Sequence, residues 1–118
     1  GWRIRTRGAQ YRMKDGAAYP IVATVVWTAE AQKWLEDIFE YIALENPSTA
    51  SNVVSSIYRR AEILKEHPEI GYRYVLSERN VRILLYGHYR IAYLVKETKD
   101  VGILGVFHGA LDISKYSL

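Results

Sequence analysis

The spacing of apolar residues changes period twice along the chain, and each change marks a change of element. Ile21 to Trp27 is a mostly apolar run rich in β-branched side chains (Ile21, Val22, Thr24, Val25, Val26), which predicts a strand buried on both faces and therefore central in its sheet. From Thr28 the apolar positions fall three and four apart: Ala31, Trp34, Leu35, Ile38 and Ile42 make one face of a helix that ends near Glu45. Thr28 is its expected N-cap, and Glu30 suits its positive end. Asn46-Pro47 restarts the same period, as a cap followed by a proline whose missing N–H costs nothing in a first turn. The second stripe is Ala50, Val53, Val54, Ile57, Ala61 and Leu64. So short a link between two amphipathic helices predicts an antiparallel hairpin.

Pro68 and Gly71 close the helical part, and from Tyr72 the period becomes two. Val81, Ile83 and Leu85 alternate with Arg82, Leu84 and Tyr86, the pattern of a strand with one exposed face. Gly87-His88 reads as a type II′ turn into a strand over Tyr89 to Val95. Lys96 to Asp100 is a polar loop, and Val101 to Phe107 is the last strand. Gly102 and Gly105 within it mark a bulge or close backbone approach, or equally simple sheet curvature. The predicted class is α+β: an N-terminal strand, an antiparallel two-helix hairpin, then an antiparallel sheet of three or four strands.

Length and composition narrow this without altering it. At 118 residues, 49% hydrophobic and 25% charged, the chain suits one globular domain. With no cysteine there is no disulfide framework, zinc would need His, Asp and Glu alone, and a reducing, cytoplasmic setting is expected. The run Ala17 to Trp27 follows the basic stretch Arg3 to Lys14, as in a signal peptide, but Pro20 interrupts it and it is far short of a membrane span, so a strand is the reading. The charge changes the picture more. Arg3, Arg5, Arg7, Arg12 and Lys14 against Asp15 put +4 of the total +3 into the first 20 residues, leaving −1 for residues 21–118. Residues 1–20 therefore read as a basic tail and 21–118 as the domain. Met13 can serve as an initiator, and on that reading residues 1–12 lie upstream of the native start.

Within the domain, residues 28–58 are acidic (Glu30, Glu36, Asp37, Glu40 and Glu45 against Lys33), while residues 59–96 carry the basic surplus. An anion is expected on the second region. No phosphate loop, nucleophile elbow or His pair at ligand spacing occurs. Arg82 and Arg90 sit on adjacent predicted strands and both alternate away from isoleucines, so a shared face would make a phosphate-binding rim, or a solvated face with an arginine over a ring. His108 ends the last strand, where it serves as a general acid or base or, more commonly, a structural histidine. His67, beside Pro68, reads as a helix-end residue. Ten tyrosines and three tryptophans exceed what one core needs, so some are expected at a protein interface.

The sequence resembles toxins of the RelE/ParE superfamily from bacterial type II toxin-antitoxin systems, over about Val25 to Asp112. The likeness rests on Trp27-Thr28-Ala29 with Ala31 and Leu35, Tyr41-Ile42-Ala43 before Asn46-Pro47, and Pro68 three residues before Gly71. Val81-Arg82, Tyr89-Arg90-Ile91 with Tyr93, and Val106-Phe107-His108-Gly109 complete it. The Asn-Pro helix start favours the ParE branch. The resemblance implies a growth inhibitor neutralised by a cognate antitoxin, without cofactor or membrane. ParE-like members inhibit DNA gyrase; RelE-like members cleave mRNA on the ribosome. On the second alternative Arg90 falls on a catalytic arginine, Arg82 on a basic strand position, and His108 is placed for proton transfer. Where many relatives have His-Gly-x-Arg-Asp, this chain has His108-Gly109-Ala110-Leu111-Asp112, and Tyr116 matches a terminal tyrosine only loosely. The resemblance also allows a degenerate, non-toxic member that only binds antitoxin. The expected antitoxin surface is the acidic outer face of the helical hairpin, with Trp34, Glu36, Glu40 and Tyr41.

Overall fold

The Thr28 hydroxyl accepts from the Ala31 N–H at 3.1 Å and donates to the Ile103 carbonyl at 2.7 Å. One side chain thus caps the first helix and ties its start to the last strand. In the computed structural model, which describes residues 10–21 and 23–118, the elements are β1 (Gln10–Lys14), β2 (Ala17–Ile21), β3 (Val25–Trp27), α1 (Ala29–Ala43) and α2 (Pro47–Ala61). A 3-10 turn (Glu62–Lys65) leads to β4 (Tyr72–Arg73), β5 (Val81–Tyr86), β6 (Tyr89–Val95) and β7 (Val101–His108). Asn46 caps α2 through its side-chain oxygen, 3.1 Å from the Thr49 N–H. The α+β class, both helices and the antiparallel strands β4 to β7 are as the sequence predicts.

The first strand is where the expectation fails. Ile21 to Trp27 is not one central strand. Ile21 ends β2, Val22 lies outside the described residues, and only Val25–Trp27 joins the sheet, at its edge. The order is β3-β7-β6-β5-β4, with β3 parallel to β7 and the other neighbours antiparallel. Val26 is accordingly 57% exposed. A run of β-branched residues sets local conformation, but position in the sheet depends on which later strand takes the inner place, and here β7 does. Gln10 to Ile21, most of it inside the segment read as a tail, pairs as a hairpin through Asp15-Gly16, whose φ values of +53° and +74° suit the primed turn that Asp-Gly favours. The basic residues Arg3, Arg5 and Arg7 lie outside the described residues.

The β5–β6 turn has Gly87 at φ +54°, as its position predicts. At β7 the register slips: Ala92 faces Gly105 while Tyr93 faces Ile103, so Leu104 is the extra residue of a bulge. A Cβ on Gly105 would also lie 2.8 Å from the Phe107 ring, so bulge and close approach coincide.

Both faces of the sheet are covered. Ala31, Leu35, Ile57, Ala61 and Leu64 of the helical layer pack on Leu84, Ile91, Tyr93, Ile103 and Val106. On the other face Ile83, Ala92 and Phe107 lie under Leu111, Ile113 and Leu118 of the C-terminal segment, with Tyr74 beside them. This corrects the one-exposed-face reading of β5: Leu84 is buried, and Leu85, expected inward with Ile83, is 54% exposed. The C-terminal segment has no periodicity to announce that it covers a sheet.

Asp100 fastens β3 to the β6–β7 loop, its carboxylate accepting from the Thr24 N–H at 3.0 Å, the Thr24 hydroxyl at 2.8 Å and the Thr98 hydroxyl at 2.9 Å. The Thr24 backbone bond is the main cause that holds its pKa below the ordinary 3.8, with the two hydroxyls adding to it. Bonding to Lys99 lowers Glu69, and bonding to Ser114 lowers Asp112. Groups depressed by folding stabilise the fold above their unfolded pKa, and that contribution disappears as pH falls through the folded value. Thermal unfolding followed by circular dichroism is therefore expected to show a Tm that drops as pH falls into and below the carboxylate range. Asp100→Asn should have a lower Tm at neutral pH and a shallower acid limb; an unchanged acid limb would refute the assignment.

Candidate functional site: two arginines, a histidine pair and an interhelical groove

Arg82 faces Tyr93 across the β5–β6 ladder, whereas Arg90 faces Leu85 on one side and Phe107 on the other. Facing residues share a face, and the side-chain period is two. Arg82 therefore belongs with Leu84 and Tyr93 on the helical face, and Arg90 with Ala92 and Phe107 on the opposite face. The shared face expected for these arginines does not exist, because the tight Gly87-His88 turn fixes a register that opposes 82 to 93 and 85 to 90.

Each guanidinium is also occupied by its own fold. Arg82 Nη1 donates to the carbonyls of Glu69 at 3.1 Å and Gly71 at 2.9 Å, holding the segment before β4. Arg90 Nη2 donates to the carbonyls of His108, at 3.3 Å, and Leu111, holding the turn after β7. The Nε atoms of both are buried and have no protein acceptor among the described residues. Tyr93, fully buried in the same layer as Arg82, accepts the Gly71 N–H at 2.8 Å, and burial pushes its phenol pKa up.

His108 stands beside Arg90 at the exposed end of β7. Its Nδ1 accepts the Ala110 N–H at 3.2 Å, and its ring stacks 6.2 Å from His88 and edge-on 5.7 Å from Tyr89. With Nδ1 as acceptor, the neutral ring carries its proton on Nε2, the reverse of the tautomer that binds metal through Nε2. Among the described residues no three His, Asp or Glu side chains group as metal ligands. The predicted catalytic trio is thus split: Arg90 meets only the backbone carbonyl of His108, whose ring lies with Tyr89 on the other face of the sheet, and Arg82 is held at the Glu69 and Gly71 carbonyls.

The four residues predicted for antitoxin binding also divide. Trp34 packs against Phe107 with ring centroids 4.6 Å apart and against Tyr116 at 5.3 Å, touching the clusters on both sheet faces. Glu36 and Glu40 lie elsewhere, on the rim of a groove of about 220 Å³ between the helices, lined also by Gln32, Leu35, Phe39, Val54 and Tyr58. Tyr41 is 78% exposed, and at about 100° per residue it follows the Trp34 stripe, not the Glu36 one. Phe39 is the groove residue that sequence reasoning missed. Its signal was present: it stands one turn beyond Leu35, at the edge of the apolar stripe. The Tyr58 hydroxyl bridges the helices, donating to Gln32 Oε1 at 2.6 Å. No described helix is long and apolar enough to cross a membrane.

Comparison with known proteins gives this arrangement its context. Residues 25–113 match the family model described as the ParE toxin of the type II toxin-antitoxin system parDE. A curated relative, "Putative toxin Y4kP" of Sinorhizobium fredii, is 32% identical over 82 residues, covering 70% of this chain and 83% of that protein. Among solved structures, a chain of the chromosomal ParDE toxin-antitoxin system from P. aeruginosa is 25% identical with a TM-score of 0.59, covering 74% of this chain and 96% of that one. The RelBE2 toxin-antitoxin complex of Mycobacterium tuberculosis, at 22% identity, TM-score 0.50 and coverage of 75% and 99%, shares the fold. The family match spans well over half the chain and the coverage of its relatives is high: this chain belongs to the ParE toxin family of type II toxin-antitoxin systems.

Proposed function

We propose that this toxin arrests growth by binding a protein, DNA gyrase, and not by cutting mRNA on the ribosome. The observation that carries the reading is the placement of Arg82 and Arg90 on opposite faces of the sheet, each engaged by backbone carbonyls of its own fold. Phosphodiester cleavage needs cations preorganised around one phosphate, and here the basic strand residues diverge. A net charge of −1 over residues 21–118 also supplies little of the phosphate neutralisation on which RNA affinity depends. Membership of the ParE family supports gyrase as the protein. Purified toxin is expected to inhibit gyrase supercoiling in a dose-dependent way and to leave mRNA uncut on translating ribosomes. Full supercoiling activity at saturating toxin would sink the proposal.

On the same proposal, the antitoxin binds at the interhelical groove. Leu35, Phe39 and Val54 give an apolar floor, and Glu36 and Glu40 an acidic rim, which suits a partner segment that is apolar on one side and basic on the other. Two exposed charge pairs contribute about 0.2–1 kcal/mol each. The double variant Glu36→Lys/Glu40→Lys should therefore bind antitoxin roughly two- to thirtyfold more weakly by calorimetry, with the deficit shrinking at high salt. Unchanged affinity would remove the groove from the interface.

A further inference from the structure

Val75 and Leu76 stand where turn chemistry gives no reason for aliphatic side chains. The Ser77 N–H donates to the Tyr74 carbonyl at 3.2 Å, closing a four-residue turn with Val75 and Leu76 at its two central positions. Gly, Pro, Asn, Asp and Ser are favoured in turns because each eases the bend or bonds its backbone. Valine and leucine do neither, and here they are 82% and 71% exposed.

The turn is also held in place. Arg73 donates through Nη1 to Asn80 Oδ1 at 3.3 Å and through Nη2 to the Ser77 carbonyl at 3.4 Å. The Ser77 hydroxyl donates to the Leu118 carbonyl at 2.9 Å and accepts the Arg79 N–H at 3.2 Å, and Arg79 Nη2 donates to the same Leu118 oxygen at 3.1 Å. Both guanidinium groups are therefore positioned by neutral acceptors, which leave their charge uncancelled. The two ion pairs among the described residues lie elsewhere, at Lys65–Glu62 and Lys99–Glu69. Two aliphatic side chains beside two fixed positive charges, with Glu78 the one acidic residue of residues 72–80, make a protrusion that needs little further ordering to bind.

Its complement is on the same molecule. The interhelical groove has Leu35, Phe39 and Val54 in its floor and Glu36 and Glu40 on its rim. Tyr74 and Leu118, which flank and hold the turn, pack on the sheet face away from the helices. The sheet thus separates the protrusion from its own groove, and only two copies can bring the two together.

We propose that the Val75-Leu76 turn of one copy inserts into the interhelical groove of a second, with Arg73 and Arg79 beside Glu36 and Glu40. Each copy has one protrusion and one groove, so the contact is either reciprocated in a closed pair or repeated along a row. It is small beside a standard interface of about 1,600 Å², so self-association belongs to concentrations of about 10 µM to 1 mM. The pairing assumes nothing about the antitoxin. Its consequence rests on the antitoxin reading above: self-association shields the groove at high toxin levels, and an arriving antitoxin takes the assembly apart.

Sedimentation equilibrium of the full chain, without antitoxin, is expected to give a mean mass of 13.6 kDa when dilute and a rising mass as concentration increases. Association should weaken roughly two- to thirtyfold in about 1 M salt, as for two exposed charge pairs. Val75→Asp/Leu76→Asp and Glu36→Lys/Glu40→Lys should each stay monomeric. All four positions are exposed, so both variants are expected to keep the wild-type melting temperature, and Val75→Ser/Leu76→Ser repeats the first arm without added charge. Mixed one to one, the first variant supplies an intact groove and the second an intact protrusion, so the mixture should associate and stop at two chains. A wild-type chain that stays monomeric up to about 1 mM, association retained by either variant, or a mixture that stays monomeric overturns the pairing. No antitoxin is present in this measurement, so its failure leaves the antitoxin interface standing, and failure of the calorimetric test leaves the pairing standing.

Discussion

Phe107→Ala is expected to destabilise the toxin by about 3–5 kcal/mol, the largest loss from any single truncation considered. Phe107 is 1% exposed and stands where three parts of the chain meet. Its ring lies 4.6 Å from Trp34 of α1 and 5.4 Å from Tyr116 of the C-terminal segment, centroid to centroid, and it shares its sheet face with Ile83 and Ala92. Removing the ring leaves a cavity that the sheet cannot close. Gly105, which faces Ala92, has no side chain to fill it, and the room above Gly105 is the room the ring occupies. A domain of this size has a total stability of about 5–15 kcal/mol, so the variant should sit close to unfolding at growth temperature. Urea denaturation followed by circular dichroism measures the loss. Phe107→Leu, which keeps most of the volume, should lose clearly less. A deficit under about 1 kcal/mol for the alanine variant would contradict the packing assigned to this ring.

Gly71→Ala carries the second large effect, through space and not through backbone conformation. An added Cβ would lie 2.6 Å from the Ile83 carbonyl oxygen and 2.7 Å from the Tyr93 hydroxyl, one a backbone atom and the other the end of a fully buried side chain. Neither can move away cheaply, so the segment before β4 must withdraw. Withdrawal breaks the 2.8 Å bond from the Gly71 N–H to Tyr93 and the carbonyl contacts that Arg82 makes with Glu69 and Gly71. Overpacking at about 1–3 kcal/mol and one buried hydrogen bond at about 1 kcal/mol give an expected loss of about 2–4 kcal/mol. Gly102→Ala is the comparison, since a Cβ there meets nothing within 4 Å. Equal stability of the two alanine variants would show that the close approach at Gly71 is not a constraint.

Arg82 matters to this account for a reason unlike the one its strand position suggested. As a member of a phosphate-binding rim it would be free to reach a ligand; as observed, it secures the Glu69–Gly71 segment against β5. Arg90 does the same for the turn after β7. A loss of toxicity on substituting either residue therefore needs a stability measurement beside it before it is read as a loss of chemistry.

The sequence by itself determined what depends on neighbours along the chain. Thr28 and Asn46 cap their helices, the stripes of α1 and α2 bury Ala31, Leu35, Ala50 and Ile57, and Gly87 takes positive φ in its turn. These follow from periodicity, capping and turn chemistry, which act over a few residues, and they sufficed for the α+β class and the likeness to RelE/ParE toxins. The tertiary structure alone decided what depends on residues far apart. It put β3 at the edge because β7 took the inner place, set Arg82 and Arg90 on opposite faces through the register of β5 on β6, and brought Phe107 and Tyr116 against Trp34. Register has a period of two, so a shift of one residue reverses every face assignment. Two arginines on neighbouring strands look alike in sequence whether they converge on one phosphate or point to opposite sides of a sheet, and only the paired strands distinguish the two.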